Sequence, residues 1–97
     1  MRYDILLAPE AVDDLKLLSA RDRSAILDAI KTHLRFEPGK TSRSRIKRLR
    51  GVSRPEYRLR VGEFRLFYDV KETEVQVLAV VPKQKASEWI ERYGDLK

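Results

Sequence analysis

The order of apolar and polar positions divides the chain into a helical first part and a strand-rich second part. Residues 2–7 are rich in strand formers, and helical spacing of apolar residues follows in two segments. The first segment begins at Pro9, which suits the first position of a helix. The second covers residues 21–36 and is ended by Pro38-Gly39. Only the polar residues 19–22 separate them, so they are expected to form a helical hairpin.

The pattern changes from helical spacing to alternation after residue 45. Residues 46–50 read as a short strand, residues 57–61 and 64–70 alternate with period two, and residues 75–81 form a more apolar strand. Residues 83–93 then repeat apolar positions as a final amphipathic helix. The predicted class is α+β: a strand and helical hairpin packed on a small antiparallel β-sheet, with a C-terminal helix. Residues 1–97 are expected to form one domain.

The two alternating strands are separated by Gly62-Glu63, which suits a two-residue type II′ turn. That turn sets Val61 opposite Phe64 and fixes the pairs behind it. One strand face is then wholly apolar or aromatic and is assigned to the core: Tyr57, Leu59, Val61, Phe64, Leu66 and Tyr68. The opposite face collects Arg58, Arg60, Arg65 and Phe67.

This second face suggests an anion site. Like charges directly opposite in a sheet are destabilising, and a bound anion would remove that cost. Arginine presents several planar donors to phosphate, and Phe67 is available to stack on a base. The alternative is an outer sheet face that is simply solvated.

Charge is concentrated near this hairpin. The chain has a formal net charge of +6, and residues 40–60 hold nine basic side chains and one acid, Glu56, a net charge of +8. The remainder has 12 basic and 14 acidic residues, a net charge of −2. Such a block indicates either a site for a polyanion or a solvated loop.

Composition excludes several classes of protein. The chain has no Cys, which excludes a disulfide scaffold, a thiolate zinc site and a thiol nucleophile. No His, Asp and Glu cluster has metal-ligand spacing, and the single histidine, His33, lies in a predicted helix away from the hairpin. The sequence contains no 18-residue apolar run and no signal-peptide pattern, so we expect a cytoplasmic protein without a membrane span.

The strings KRLRG, YRLRVGEFRLFYDV and EVQVLAVVPK, followed by a terminal helix, resemble the RelE/ParE superfamily of bacterial type II toxins. The resemblance covers almost the whole chain and implies the α+β fold described above. It also implies one of two activities. RelE-like members cleave mRNA in the ribosomal A site, whereas ParE-like members inhibit gyrase and lack the nuclease residues.

Carried over residue by residue, the resemblance assigns Arg58, Arg60 and Arg65 to the scissile phosphate. Two positions depart from the nuclease pattern: Gln84 stands where an arginine is usual, and Ile90 where a tyrosine is usual. Arginine is a poor proton acceptor, so Lys83 or Lys85 is the best candidate proton shuttle. The predicted catalytic residues are Arg58, Arg60, Arg65 and Lys83. The predicted RNA-binding residues are Lys47, Arg48, Arg50, Phe67, Lys85 and Trp89.

The resulting prediction is a toxin that cleaves ribosome-held mRNA by 2′-hydroxyl attack, without metal or other cofactor. The alternative is a ParE-like gyrase inhibitor without nuclease activity, and a plain nucleic-acid-binding module ranks last. The resemblance further implies a cognate antitoxin, which the basic segment would attract if it is acidic. Contact with DNA is expected only through that antitoxin.

Overall fold

The computed structural model describes residues 1–96, which form three α-helices and seven β-strands. The helices are α1 (Pro9–Lys16), α2 (Ala20–Leu34) and α3 (Ala86–Tyr93), with a 3₁₀ turn at Lys83–Lys85 before α3. The strands are β1 (Asp4–Leu7), β2 (Ile46–Arg48), β3 (Val52–Arg54), β4 (Tyr57–Val61), β5 (Phe64–Lys71), β6 (Glu74–Pro82) and β7 (Asp95–Leu96). None of the helices within residues 1–96 is long and apolar enough to cross a membrane.

The helical hairpin is held by local polar contacts. Pro9 occupies the start of α1, and the Ser19 hydroxyl caps α2 by accepting from the backbone N–H of Asp22 at 3.1 Å. The guanidinium of Arg23 donates to the carbonyls of Leu15, at 3.1 Å, and Leu18, at 2.9 Å. These bonds satisfy a carbonyl in the last turn of α1 and one in the loop between α1 and α2.

The main sheet has the strand order β1-β6-β5-β4-β2, and a separate ribbon pairs β3 with β7. All neighbours in the main sheet are antiparallel except β1, which runs parallel to β6. The predicted α+β class is confirmed. The sheet is mixed because the helical hairpin leads from β1 to β2 at the opposite edge, and β4, β5 and β6 then return strand by strand until β6 pairs in parallel with β1. Beyond the end of β1, the Asp14 carboxylate accepts from the backbone N–H of Val80 at 2.9 Å.

The sheet lies between the helical hairpin on one side and α3 on the other. On the hairpin side, α1 and α2 bury the side chains predicted as core, including Leu59, Leu66 and Tyr68. On the other side, a smaller cluster of Phe67, Ala79 and Val81 is covered by α3. The two faces of β4 and β5 therefore have different surroundings, as their alternation predicts.

Candidate functional site

The β4–β5 hairpin has the predicted register throughout. Val61 is opposite Phe64, Arg60 is opposite Arg65, and the pairing continues to Tyr57 opposite Tyr68. Gly62 adopts a φ of +54°, a left-handed backbone conformation that glycine takes without steric cost. The turn therefore sets which arginines meet across the hairpin.

Four cations share the sheet face that is opposite the helical hairpin. Arg60 and Arg65 are directly opposite across β4 and β5, and Lys47 is directly opposite Arg58 across β2 and β4. We call the surface formed by Lys47, Arg58, Arg60 and Arg65 the arginine face. It brings together the three predicted phosphate-binding arginines and one of the predicted RNA-binding lysines.

None of the ion pairs formed within residues 1–96 involves the arginine face. Burial lowers the pKa of Arg58, and the positive charges of Arg65 and Arg60 lower it further. The Nε atom of Arg58 is buried and has no hydrogen-bond partner in the part of the chain described. A cation cluster with lowered pKa and an unpaired donor gains stability from a bound anion.

Arg65 is oriented by its own turn. Its Nη1 donates to the carbonyl of Gly62 at 3.0 Å and to that of Phe64 at 2.9 Å. These bonds use one of the terminal nitrogens and leave other guanidinium donors for a ligand. The side chain is therefore positioned before any substrate binds.

Other basic residues of the 40–60 segment are neutralised by acids. Lys40 pairs with Glu37 at 3.4 Å and Arg54 with Asp69 at 2.8 Å. The hydrogen bond to Asp69, followed by its negative charge, raises the pKa of Arg54. The high charge of the segment is thus partly internal, which its total does not reveal.

The structure places Arg48, a predicted RNA-binding residue, away from the arginine face. Arg48 is paired with Tyr57, on the sheet face opposite to that of Lys47 and Arg58. Its guanidinium lies 5.4 Å from the centre of the Tyr57 ring, donates to the Tyr57 hydroxyl at 3.1 Å and pairs with Glu56 at 3.8 Å. Arg48 therefore packs against an aromatic ring away from the arginine face. Arg50 is exposed in the bend after β2.

The prediction that Phe67 stacks on a base is wrong, because its side chain is fully buried. Its ring instead stacks on Trp89 of α3 at 4.7 Å with an angle of 6° between the planes. Trp89 also meets Tyr93 at 5.6 Å and borders a cavity of about 650 Å³. Carboxylates line that cavity and disfavour an RNA backbone: Glu10, Asp13, Asp14 and Asp95. We therefore assign both rings to the packing of α3.

The remaining predicted residues lie where β6 passes into α3. Lys83 donates its backbone N–H to the carbonyl of Glu63 at 2.8 Å, which places it beside the turn that orients Arg65. Gln84 and Lys85 are exposed in the same 3₁₀ turn. Ile90 packs against the cluster beneath α3, as expected for a core residue.

Two acidic residues beside the hairpin, Asp69 and Glu56, form hydrogen bonds that the sequence did not predict, and we call this pair the acidic bracket. Asp69 is almost fully buried and accepts from Arg54 Nε and from the backbone N–H of Glu56, both at 2.8 Å. Glu56 in turn accepts from the backbone N–H of Val70 at 3.1 Å. The available signal was that Glu56 is the sole acid of a basic segment. Within residues 1–96, no three His, Asp or Glu side chains are placed to hold a metal ion together.

A sequence model of the ParE toxin of type II toxin–antitoxin systems (parDE) matches residues 5–86. The chain belongs to this family. The predicted membership of the RelE/ParE superfamily is confirmed. A comparison of the chain with curated proteins found no match.

Solved structures of related toxins share the fold of this family member. The archaeal RelE–RelB complex from Pyrococcus horikoshii matches with a TM-score of 0.70 and 23% identity, over 86% of this chain and 97% of that one. The RelBE2 complex from Mycobacterium tuberculosis gives 0.68 and 26%, over 84% and 99%. A chromosomal ParDE system from Pseudomonas aeruginosa gives 0.58 and 17%, over 84% and 96%. The fold is therefore shared by toxins named for both branches of the superfamily.

Proposed function

We propose that this toxin is a ribosome-dependent endoribonuclease that binds the scissile phosphate of mRNA on the arginine face. One observation carries the proposal: Arg58, Arg60 and Arg65 converge without an acidic partner, and Arg58 retains an unpaired buried donor. Such preorganised donors stabilise charge that develops on phosphate oxygens during reaction. The greater similarity in fold to RelE complexes than to the ParDE complex adds support.

In the proposed reaction, the ribose 2′-hydroxyl attacks the adjacent phosphorus and the bond to the 5′-oxygen of the next nucleotide breaks. The products are a 2′,3′-cyclic phosphate and a free 5′-hydroxyl. Arg65 is the main stabiliser of the pentacovalent phosphorane, and Arg60, directly opposite, is its partner. Arg58 binds the same phosphate, and Lys47 binds the neighbouring backbone.

Proton transfer is assigned to Lys83, whose side-chain amine takes the 2′-hydroxyl proton and passes it to the leaving 5′-oxygen. Arginine stays protonated at neutral pH, so the arginine face stabilises charge without accepting the 2′-hydroxyl proton. Lys83 lies beside the Gly62-Glu63 turn, at the same end of the sheet as Arg60 and Arg65. Lys85 and Arg50 are exposed and assigned to backbone contacts, and ribosomal positioning of the mRNA supplies the remaining acceleration. The proposal uses no metal or other cofactor.

Inhibition of gyrase is the second candidate function. The observation that favours it is the match to the ParE toxin family over residues 5–86. Gln84 and Ile90 at the two positions that depart from the nuclease pattern point the same way. In that case the arginine face would bind a protein or DNA surface without cleaving a bond.

A cognate antitoxin is the proposed partner in the cell, with the ribosome and mRNA as targets in the cytoplasm. Several of the structures that match are complexes of a toxin with its antitoxin. An acidic antitoxin segment would neutralise the arginine face and keep the toxin inactive. DNA contact by the complex is proposed to run through the antitoxin.

The proposal is tested by inducing the toxin in a bacterium and mapping mRNA 5′ ends. We expect cuts in phase with codons, reduced about 100-fold or more in Arg65→Ala, because one preorganised donor contributes that much to comparable reactions. Arg60→Ala serves as a second variant, because the side chain of Arg60 is exposed and its removal should not disturb the fold.

Arg21→Ala is the matched control, because it removes the same charge from an exposed position at the start of α2. It should leave cleavage unchanged. Growth arrest with intact mRNA, together with loss of gyrase supercoiling activity, would overturn the nuclease and support the second candidate.

A further inference from the structure

A basic cavity lies at the β2 edge of the sheet, next to the strand pair that carries the arginine face. It has a volume of about 470 Å³ and lies between the C-terminal end of α2, the loop after it and β2. The side chains with donors that line it are Thr32, His33, Lys40, Thr41, Ser42 and Arg45. Its one acidic lining residue, Glu37, is held at 3.4 Å by Lys40. The cavity therefore offers cationic and hydroxyl donors without a free carboxylate.

The loop that forms this cavity is fixed by Ser42. Its hydroxyl oxygen accepts from the backbone N–H groups of Arg45 and Ile46, at 3.0 Å and 3.1 Å. Its backbone N–H donates to the carbonyl of Ile46 at 2.9 Å. Because a hydroxyl has one hydrogen besides its two acceptor sites, the Ser42 O–H remains available to a ligand.

Arg45 connects the cavity to the arginine face. The backbone N–H of Arg60 donates to the carbonyl of Arg45 at 2.9 Å, so the two residues are neighbours across adjacent strands. Adjacent strands lie about 4.8 Å apart. The residue that lines the cavity is thus hydrogen-bonded through its backbone to a residue of the arginine face.

We propose that this cavity is a second phosphate subsite, which takes a phosphodiester of the same RNA strand that is bound on the arginine face. Arg45 supplies the charge, since Lys40 is paired with Glu37, and Ser42 and Thr41 supply hydroxyl donors. The subsite positions the strand and takes no part in bond cleavage. This inference rests on the proposed function for the choice of RNA as the ligand.

His33, the one histidine of the chain, is an internal reporter of the cavity. Burial lowers its pKa, and the positive charge of Arg45 lowers it further. The other charged groups that face it are Glu37 and Lys40, which pair with each other. A bound phosphodiester favours the imidazolium and raises the pKa of His33.

The test is an NMR pH titration of His33 with a single-stranded RNA octanucleotide carrying 2′-O-methyl groups, which prevent cleavage. We expect the pKa of His33 to rise by about one unit on binding. Arg45→Ala should abolish that response and weaken binding about tenfold, because it removes a bond to a charged group. Arg43→Ala is the matched control: it removes the same charge from an exposed residue of the same loop that does not line the cavity.

Equal weakening of RNA binding by Arg43→Ala and Arg45→Ala would overturn the subsite, because binding would then depend only on the total positive charge. An unchanged His33 pKa with bound RNA, or a change seen only with inorganic phosphate, would also overturn it. Failure of the subsite is separable from failure of the nuclease. Codon-phased cuts that depend on Arg65 would persist in the first case, and a His33 response without cuts would mark the second.

Discussion

At the scale of single residues, basic side chains close together in sequence have opposite roles because of what each one meets. Arg54 is neutralised by the buried carboxylate of Asp69. Arg58, by contrast, lies near the positive charges of Arg60 and Arg65. Lys47 and Arg48 are adjacent in sequence but on opposite faces of β2. Local charge therefore says less about binding than the strand face on which each charge lies.

Asp69 provides a test of the acidic bracket. Asp69→Asn removes the charge that Arg54 requires and presents an amide in a position where both neighbours donate. We expect a loss of about 1–3 kcal/mol in the free energy of unfolding, measured by urea denaturation followed by Trp89 fluorescence.

Asp28→Asn is the control for this substitution, since Asp28 is exposed on α2. It should change the free energy of unfolding by less than about 0.5 kcal/mol. If the two variants had equal stability, Asp69 would not hold the bracket together.

At the scale of elements, the β4–β5 hairpin could be predicted completely from its sequence. Gly62 at the turn and strict alternation on both sides fix the register, and all five predicted pairs are present. The burial of Phe67 could not be predicted in the same way. Alternation places its ring on the outer face, but only the later helix α3 decides that Trp89 covers it.

Pairings between distant segments left little local signal. The parallel alignment of β1 with β6 joins residues some seventy positions apart. The β3–β7 ribbon consists of strands of three and two residues, too short for a period to be visible. Helix α3 begins at Ala86, after a 3₁₀ turn at Lys83–Lys85, although the amphipathic spacing predicted one helix over residues 83–93. The backbone hydrogen bond between Arg60 and Arg45 could not be predicted for the same reason.

Gly94 tests how α3 is joined to the β3–β7 ribbon. Its φ of −74° suits any residue, but an added Cβ would lie 2.6 Å from the carbonyl oxygen of Ile90 and 3.3 Å from Val52. Gly94→Ala must therefore displace the end of α3 from the ribbon. We expect faster amide hydrogen exchange at Val52 and a loss of about 1–3 kcal/mol in the free energy of unfolding.

Ser87→Ala changes an exposed position of the same helix and should leave exchange at Val52 unaltered. Unchanged exchange in Gly94→Ala would mean that the chain end accommodates the methyl group without moving the ribbon.

At the scale of the whole molecule, charge is separated into two regions. Carboxylates of α1 and of the chain end line the cavity beside Trp89, while the arginine face and Arg45 gather cations at the β2–β4–β5 side of the sheet. The net charge of +6 averages over these regions. An RNA strand responds to the local arrangement, because the field of each region decays within about 10 Å at 0.1 M salt.

The salt dependence of RNA binding distinguishes this arrangement from a general effect of net charge. The proposed RNA complex has three phosphate contacts, two on the arginine face and one in the cavity beside Arg45, so log affinity should fall with log salt concentration with a slope of about −2, following roughly −0.7 per phosphate for single strands. Lys47→Ala removes the contact to the neighbouring phosphate and should bring the slope closer to zero by about 0.7. Arg21→Ala lowers the net charge by the same amount, but its position on α2 places it outside the arginine face, so the slope should not change. Equal slopes for the two variants, measured by fluorescence anisotropy with an uncleavable RNA, would mean that the strand responds to total charge and that the arginine face is not its binding site.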